Sequence, residues 1–264
     1  MTVYFIGAGP GDPELLTRKA WRILGQSDVI FYDALMDVDG MREAAPTAQW
    51  IHVGKRANQI STTQEFISKS IVSYAQRGDQ VARLKGGDPS IFGRLTEETN
   101  ACRDAGLDIE IVPGVTAACA AAAELGIGLT ERTVSRSVVF LTPRTEHSRN
   151  ETSDHWLAPA LHTDTVVMYM AGQEITRMSR LLIAGGRGAD TPVALVESAS
   201  RNAKTHYTTL GAFARDEIDT RQITGPVTII LGDVARPNVS RAIDPLIDFS
   251  ADQVFAANAK VISR

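Results

Sequence analysis

Val3-Tyr4-Phe5-Ile6-Gly7-Ala8-Gly9-Pro10-Gly11-Asp12-Pro13 runs an apolar, strand-prone tetrad straight into a glycine-rich turn, and Leu84-Lys85-Gly86-Gly87-Asp88-Pro89 does the same after the run that starts at Val81. Glycine admits positive φ and lets a ligand approach the main chain, so each turn has the makings of a binding loop at a strand end. Asp12 followed by Pro13 is a helix-start pair, an N-cap acceptor ahead of a residue suited to the first helical position. The expected order is strand (Val3 to Ile6), turn, helix (Glu14 to Gly25). Two such turns in one sheet would line a single pocket.

The alternation continues along the chain. Val29 to Tyr32, Gln49 to Val53, Val81 to Leu84 and Ile109 to Val112 read as strands. Between them fall helices at Thr63 to Arg77 (capped by Ser61 or Thr62, stopped by Gly78), Leu95 to Ala105 and the alanine-rich Thr116 to Leu125. That is the pattern of a mostly parallel sheet with helices on its faces. A second set of strands follows at Ser137 to Thr142, Thr165 to Tyr169, Pro192 to Val196, His206 to Thr209 and Val227 to Leu231, with a helix from Gln173 to Ala184. The fold class is therefore α/β, with two α/β domains whose sheets are mostly parallel. Their expected bounds are 1–130 and 131–236, joined through Gly126 to Arg136, with a C-terminal extension at 237–264. The polar stretch Thr145 to Ser153 reads as an exposed loop.

Composition narrows the class. Of 264 residues, 44% are apolar and 22% charged, as in an ordinary soluble globular chain, and a net charge of −4 offers no long-range attraction to nucleic acid or to an anionic membrane. No run approaches the roughly 20 apolar residues that cross a bilayer, and no basic segment precedes an apolar core near Met1 as a leader would. Cys102 and Cys119 are too few for a disulfide framework and lack zinc spacing, and the five histidines have no metal-ligand spacing either. The expectation is a cytoplasmic protein without a metal, a membrane or a nucleic-acid partner.

Gly7-x-Gly9-x-x-Asp12 comes close to a dinucleotide fingerprint, and Asp33, just after the second strand, stands where an acid would bind a ribose. That keeps a nicotinamide oxidoreductase open. Against it, Asp12 puts negative charge where a pyrophosphate would sit on a helix N-terminus. Lys85 to Pro89 likewise lacks the Gly-Lys-Ser/Thr ending of a phosphate loop and carries an acid in its place. A sulfonium attached to an adenosine suits backbone carbonyls with an acidic neighbour better. The bland alternative, a tight strand-to-helix turn with no ligand, is adequate for one such turn and poor for two.

Five ordered blocks then resemble the tetrapyrrole methylases: residues 3–13, Tyr32-Asp33-Ala34-Leu35, Val53-Gly54-Lys55-Arg56-Ala57, Arg83 to Pro89 with Ile91-Phe92-Gly93-Arg94, and Val112-Pro113-Gly114-Val115-Thr116-Ala117. The resemblance runs from about Val3 to Val234. The Tyr-Asp-x-Leu and Gly-Lys-Arg-Ala blocks are those of the branch that acts on uroporphyrinogen III, with methylases of later corrin intermediates such as precorrin-4 as the nearest relatives. A non-catalytic tetrapyrrole-binding module is the third reading.

The resemblance implies a homodimer of two-domain chains that binds S-adenosyl-L-methionine in the trough between its domains. By position, the implied donor contacts are Pro10, Gly86, Gly87, Asp88, Ile91, Thr116, Ala117 and Met170, with Ala199 where the family has a glycine. The implied proton acceptor and donor are Asp33 and Lys55. For Lys55 to donate near neutrality its pKa must be brought down by burial or by a cationic neighbour such as Arg56, and a contact to a substrate carboxylate is the other reading of this lysine. A polycarboxylate substrate needs cationic forks, for which Arg56, Arg83, Arg94 and Arg132 are the expected set. Two departures fall near the macrocycle: Leu95-Thr96-Glu97-Glu98 replaces the usual Gly-Gly-Glu-Glu, and Thr142-Pro143-Arg144 replaces Thr-Gly-His.

Overall fold

Alternate residues of β1 (Thr2–Gly7) lie on opposite faces, and both faces are covered: Val3 and Phe5 enter one apolar cluster, Ile6 another. The fold is taken from a computed structural model, which describes residues 1–33, 36–54, 63–143 and 154–237. β1 is joined by β2 (Val29–Tyr32), β3 (Gln49–His52), β4 (Val81–Lys85) and β5 (Asp108–Val112) in the order β3-β2-β4-β1-β5, with every pair parallel. Helices α1 (Arg18–Leu24) and α2 (Val38–Arg42) pack on the face that carries Ile6, Ile30 and Leu84. Helices α3 (Gln64–Gln76) and α4 (Leu95–Asp104) pack on the face that carries Phe5, Phe31 and Val81. The chain thus leaves β1 for one face and the neighbouring β4 for the other. That is a switch point, where a crevice opens beyond the carboxyl ends of the strands, and both glycine turns sit there.

The first helix differs from its reading as one piece. Asp12 caps only a 3-10 turn, Pro13–Leu15, accepting from the Glu14 N–H at 2.9 Å. Leu16 is extended, and Thr17 then caps α1 by accepting from the Ala20 N–H at 3.1 Å. Two N-cap residues close together make two starts. In α3 the cap is Thr63, which accepts from the Phe66 N–H; Ser61 and Thr62 lie outside the described residues.

The second sheet holds β6 (Val138–Leu141), β7 (Thr165–Tyr169), β8 (Pro192–Glu197), β9 (Lys204–Thr209) and β10 (Val227–Leu231) in the order β6-β7-β10-β8-β9. Here the expectation of a mostly parallel sheet is corrected: only β6 and β7 run parallel, and the other pairs are antiparallel. The link from Ser198 to Ala203 is too short for the crossover that parallel neighbours require, so β9 must fold back on β8. Helices α6 (Leu157–His162), α7 (Ile175–Ala184) and α8 (Leu210–Ala214) bury one face of this sheet.

Its other face is covered by α5 (Ala117–Leu125). Ala118, Ala121 and Leu125 meet Val167, Ala194, Val196 and Ile230, and the small alanines let the helix lie close to the strands. The seam in the packing therefore falls just before α5, ahead of the 130/131 join read from the sequence. The Thr145 to Ser153 loop and residues 238–264 lie outside the described residues. No helix among the described residues is long and apolar enough to cross a membrane.

Candidate active site

The two glycine turns hydrogen-bond to each other. The Ala8 N–H donates to the Lys85 carbonyl at 2.8 Å, Gly9 N–H to Gly87 O at 3.1 Å, and Gly87 N–H to Gly9 O at 2.7 Å. Gly114, after β5, closes the floor. A Cβ on Gly114 would stand 2.4 Å from the Gly87 carbonyl oxygen, and one on Gly7 would stand 2.5 Å from the Gly114 nitrogen. Only glycine allows three strand ends to converge this tightly. Gly86 is different, since a Cβ there would meet nothing within 4 Å, so its backbone faces open crevice.

Asp88 anchors this floor. One carboxylate oxygen accepts from the Gly114 N–H at 2.9 Å, and the other accepts from the Ser90 N–H at 2.8 Å and the Ser90 hydroxyl at 2.5 Å. Burial pushes the carboxyl up, but the bonds from the Ser90 hydroxyl, the Gly114 N–H and the Ser90 N–H outweigh it and hold Asp88 below the usual carboxylate range. The charge pattern follows. The amide donors of Ala8, Gly9, Gly87 and Gly114 are already engaged inside the protein, whereas a diphosphate needs such donors free. What the crevice offers is an ionised carboxylate and open backbone at Gly86.

The second sheet supplies the opposite wall. Tyr169, at the end of β7, accepts the Ala118 N–H at 3.1 Å and is 2.6 Å from the Thr116 hydroxyl, so the tyrosine caps α5 in place of Thr116 itself. Burial raises the Tyr169 hydroxyl above its ordinary value. Phe92, from the loop after the second glycine turn, stacks edge-on against Tyr169 with centroids 5.2 Å apart. Across the seam, Asp12 N–H donates to the Ser200 hydroxyl at 3.3 Å, and Ser200 N–H donates to Glu124. Among the described residues eight non-glycine residues have positive φ, and six of them (Phe92, Arg94, Met170, Ser198, Ser200, Asn202) lie in the loops that flank this crevice. Strained backbone gathers where a surface is held for a ligand.

The implied donor positions are thus drawn to one place. Pro10 is in the first turn; Gly86, Gly87, Asp88 and Ile91 are in the second. Gly87 faces Thr116 and Ala117, for a Cβ on it would lie 3.9 Å from Thr116 Cα and 4.0 Å from Ala117 N. Met170 follows Tyr169 and is exposed, and Ala199 is buried in the cluster that includes Tyr169 and Ala118. An open groove of about 960 Å³, lined among others by Leu16, Arg18, Trp21, Arg22 and Glu43, contains none of these residues. Topology, not concavity, marks the site. Among the described residues no three His, Cys, Asp or Glu side chains cluster as metal ligands.

The charged residues divide differently from their sequence reading. Arg83 alternates with Val81 and so lies on the α3/α4 face, 2% exposed. It donates to Asp33 Oδ1 at 2.5 Å, to Glu98 Oε1 at 3.3 Å and to the Leu84 carbonyl at 2.9 Å. This corrects its placement among the substrate forks, since every nitrogen of the guanidinium is engaged inside the protein. Arg94 is exposed and pairs with Glu97 at 2.7 Å, and Arg132 is exposed in the turn closed by Glu131 and Ser135. Lys55 and Arg56 lie outside the described residues. Sequence reasoning passed over Glu98, Tyr169 and Ser200. Glu98 had a signal: Arg83 and Lys85, two apart in an apolar strand, place two cations on one face, and that demands a buried acid.

Fold and crevice together define an α/β protein whose two glycine turns meet at a switch point, with their amide donors engaged inside the protein and an ionised carboxylate beside them. A family model described as Tetrapyrrole (Corrin/Porphyrin) Methylases matches residues 2–214, and the chain belongs to that family. It is 40% identical over 242 residues to the uroporphyrinogen-III C-methyltransferase of Pseudomonas aeruginosa, covering 91% of this chain and 97% of that one. Among solved structures it resembles uroporphyrin-III C-methyl transferase from Thermus thermophilus complexed with S-adenyl homocysteine, with a TM-score of 0.76 and 33% identity across 89% of this chain and 99% of that one. It also resembles a cobalamin biosynthetic enzyme, cobalt precorrin-4 methyltransferase, with a TM-score of 0.78 and 29% identity over 89% and 96% of the two chains.

Proposed function

We propose that this chain is an S-adenosyl-L-methionine-dependent C-methyltransferase that converts uroporphyrinogen III to precorrin-2 by methylation at C-2 and C-7, on the way to sirohaem or cobalamin. The observation that carries the reading is the crevice whose amide donors are engaged while Asp88 keeps its charge, because it suits a sulfonium and disfavours a diphosphate. The open backbone at Gly86 fits the same ligand. When bound, the donor supplies an electrophilic methyl that a pyrrole carbon takes in line, and the sulfur it leaves departs as a neutral thioether.

The protein's share is alignment, exclusion of water and one proton. Pro10, Gly86, Gly87, Asp88, Ile91, Thr116, Ala117, Met170 and Ala199 hold the donor. Asp33 accepts the proton that the methylated, cationic macrocycle must lose, and Lys55 donates one. Arg56, Arg94 and Arg132 meet the acetate and propionate arms, while Arg83 serves Asp33 instead. A homodimer in a reducing cytoplasm belongs to the same reading, and the free thiols of Cys102 and Cys119 are in keeping with that compartment.

The decisive experiment incubates the chain with uroporphyrinogen III and the methyl donor and weighs the product. A gain of two methyls is expected; methyl gain only on a later corrin substrate, or binding without transfer, would sink the assignment. The donor site has its own check. Asp88→Ala removes the charge-assisted bonds, each worth about 1.5–3 kcal/mol, that hold the second glycine turn to Gly114 and Ser90. The crevice floor then loosens, and affinity for S-adenosylhomocysteine by calorimetry is expected to fall roughly 10- to 100-fold. Unchanged affinity would remove Asp88 from the donor site.

A further inference from the structure

A buried chain of charges ties α4 to Asp33. Glu98 is 0% exposed, and donors surround its carboxylate: Arg83 Nε at 3.3 Å and Gln64 Nε2 at 2.7 Å reach Oε1, and Lys85 Nζ at 2.8 Å reaches Oε2. Arg83 gives its remaining nitrogens to the Leu84 carbonyl and to Asp33 Oδ1. Asp33 itself keeps 30% of its side chain exposed, at the carboxyl end of β2 where the crevice opens. The formal charges cancel, two cations against two anions. Burial, then the neighbouring Arg83, holds Lys85 below its ordinary value, with Glu98 and Asp33 opposing.

Apolar packing would join α4 to β4 at least as well, because a buried ion pair replaced by hydrophobic groups is often no less stable. What apolar packing would not do is aim a carboxylate. A guanidinium is a rigid planar fork, so fixing it at Nε and Nη1 dictates where Nη2 points. Here it points at Asp33 Oδ1. With that oxygen occupied, Oδ2 is the atom left to take a proton.

We infer that Glu98 and Arg83 are positioning residues for the methylation: Glu98 fixes Arg83, and Arg83 fixes the carboxylate of Asp33. The inference rests on the reading of Asp33 as proton acceptor. Glu98→Gln keeps volume and hydrogen-bonding capacity but removes the charge that holds Arg83. It is expected to lower kcat on the order of 10- to 100-fold, the effect of a misplaced catalytic group, without changing KM for the methyl donor or the calorimetric affinity for S-adenosylhomocysteine. In an Asp33→Asn background the same substitution should have no further effect on the residual transfer of labelled methyl, because the group being aimed is gone.

Arg83→Lys keeps the charge but loses the fork, and is expected to give the same pattern; it serves if Glu98→Gln does not fold. Unchanged kcat in both variants would overturn the inference. So would losses that multiply with that of Asp33→Asn, or donor affinity that falls in step with kcat, since these are the marks of a scaffold role. If Asp33→Asn alone turns over at the full rate, the assignment of Asp33 has failed instead, and that is seen without any second substitution.

Discussion

Gly114→Ala is expected to abolish measurable binding of S-adenosylhomocysteine and to lower the urea midpoint of unfolding. The added Cβ would stand 2.4 Å from the Gly87 carbonyl oxygen and 2.7 Å from Gly7 Cα. Both neighbours are main chain at strand ends, so no side chain can rotate away. Relief requires the ends of β1, β4 and β5 to part, which strains the paired Gly9 and Gly87 bonds and the Gly114 N–H bond to Asp88. Overpacking alone costs about 1–3 kcal/mol, and a weakened bond to a charged carboxylate adds to it.

Gly86→Ala is the matched control. A Cβ there meets nothing within 4 Å, so the unfolding free energy should stay within about 0.5 kcal/mol of wild type. Its methyl would instead project into the crevice, and donor affinity should fall. Calorimetry and urea unfolding of the two variants separate a floor from a wall. Wild-type stability and affinity in Gly114→Ala would disprove the convergence of the three turns.

The strands of the first sheet were legible because alternation survives in the residues: Val3 and Phe5 against Tyr4 and Ile6, each set meeting its own cluster. Periodicity carries no strand direction, so the antiparallel run through β7, β10, β8 and β9 could not be read from the same signal. For β8 and β9 alone it was written in the short link from Ser198 to Ala203. Asp12-Pro13 was rightly a start, but Thr17 offered a second cap, and local chemistry alone does not say which start prevails.

The site was legible to the same depth. Glycine turns after apolar runs marked the strand ends that converge at Gly7, Gly87 and Gly114, whereas Met170 and Ala199, as proposed donor contacts, came only through the family resemblance. Arg83 shows the limit most clearly. Its place in β4 was legible, but whether it faced ligand or core depended on register and on Glu98, which comes from a helix beyond the next loop.

Asp33→Asn is expected to lower kcat by about 10²–10⁴, the usual contribution of a positioned acid or base, while leaving S-adenosylhomocysteine affinity intact. The substitution is close to isosteric. The Asn carbonyl can occupy the place of Oδ1 and still accept from Arg83 Nη2, so the anchor observed at 2.5 Å is kept. Only the second atom changes, from an oxygen that takes a proton to an amide that does not. Because the proposed donor contacts gather at Gly86 to Asp88, Thr116 and Ala117, donor binding and proton removal are expected to be separable steps on separate residues. A variant that binds donor normally yet stalls would therefore place Asp33 after the methyl has moved, in the loss of the ring proton. Equal loss of donor affinity and turnover would instead make Asp33 a part of the donor site, and full activity would leave the proton to another group or to water.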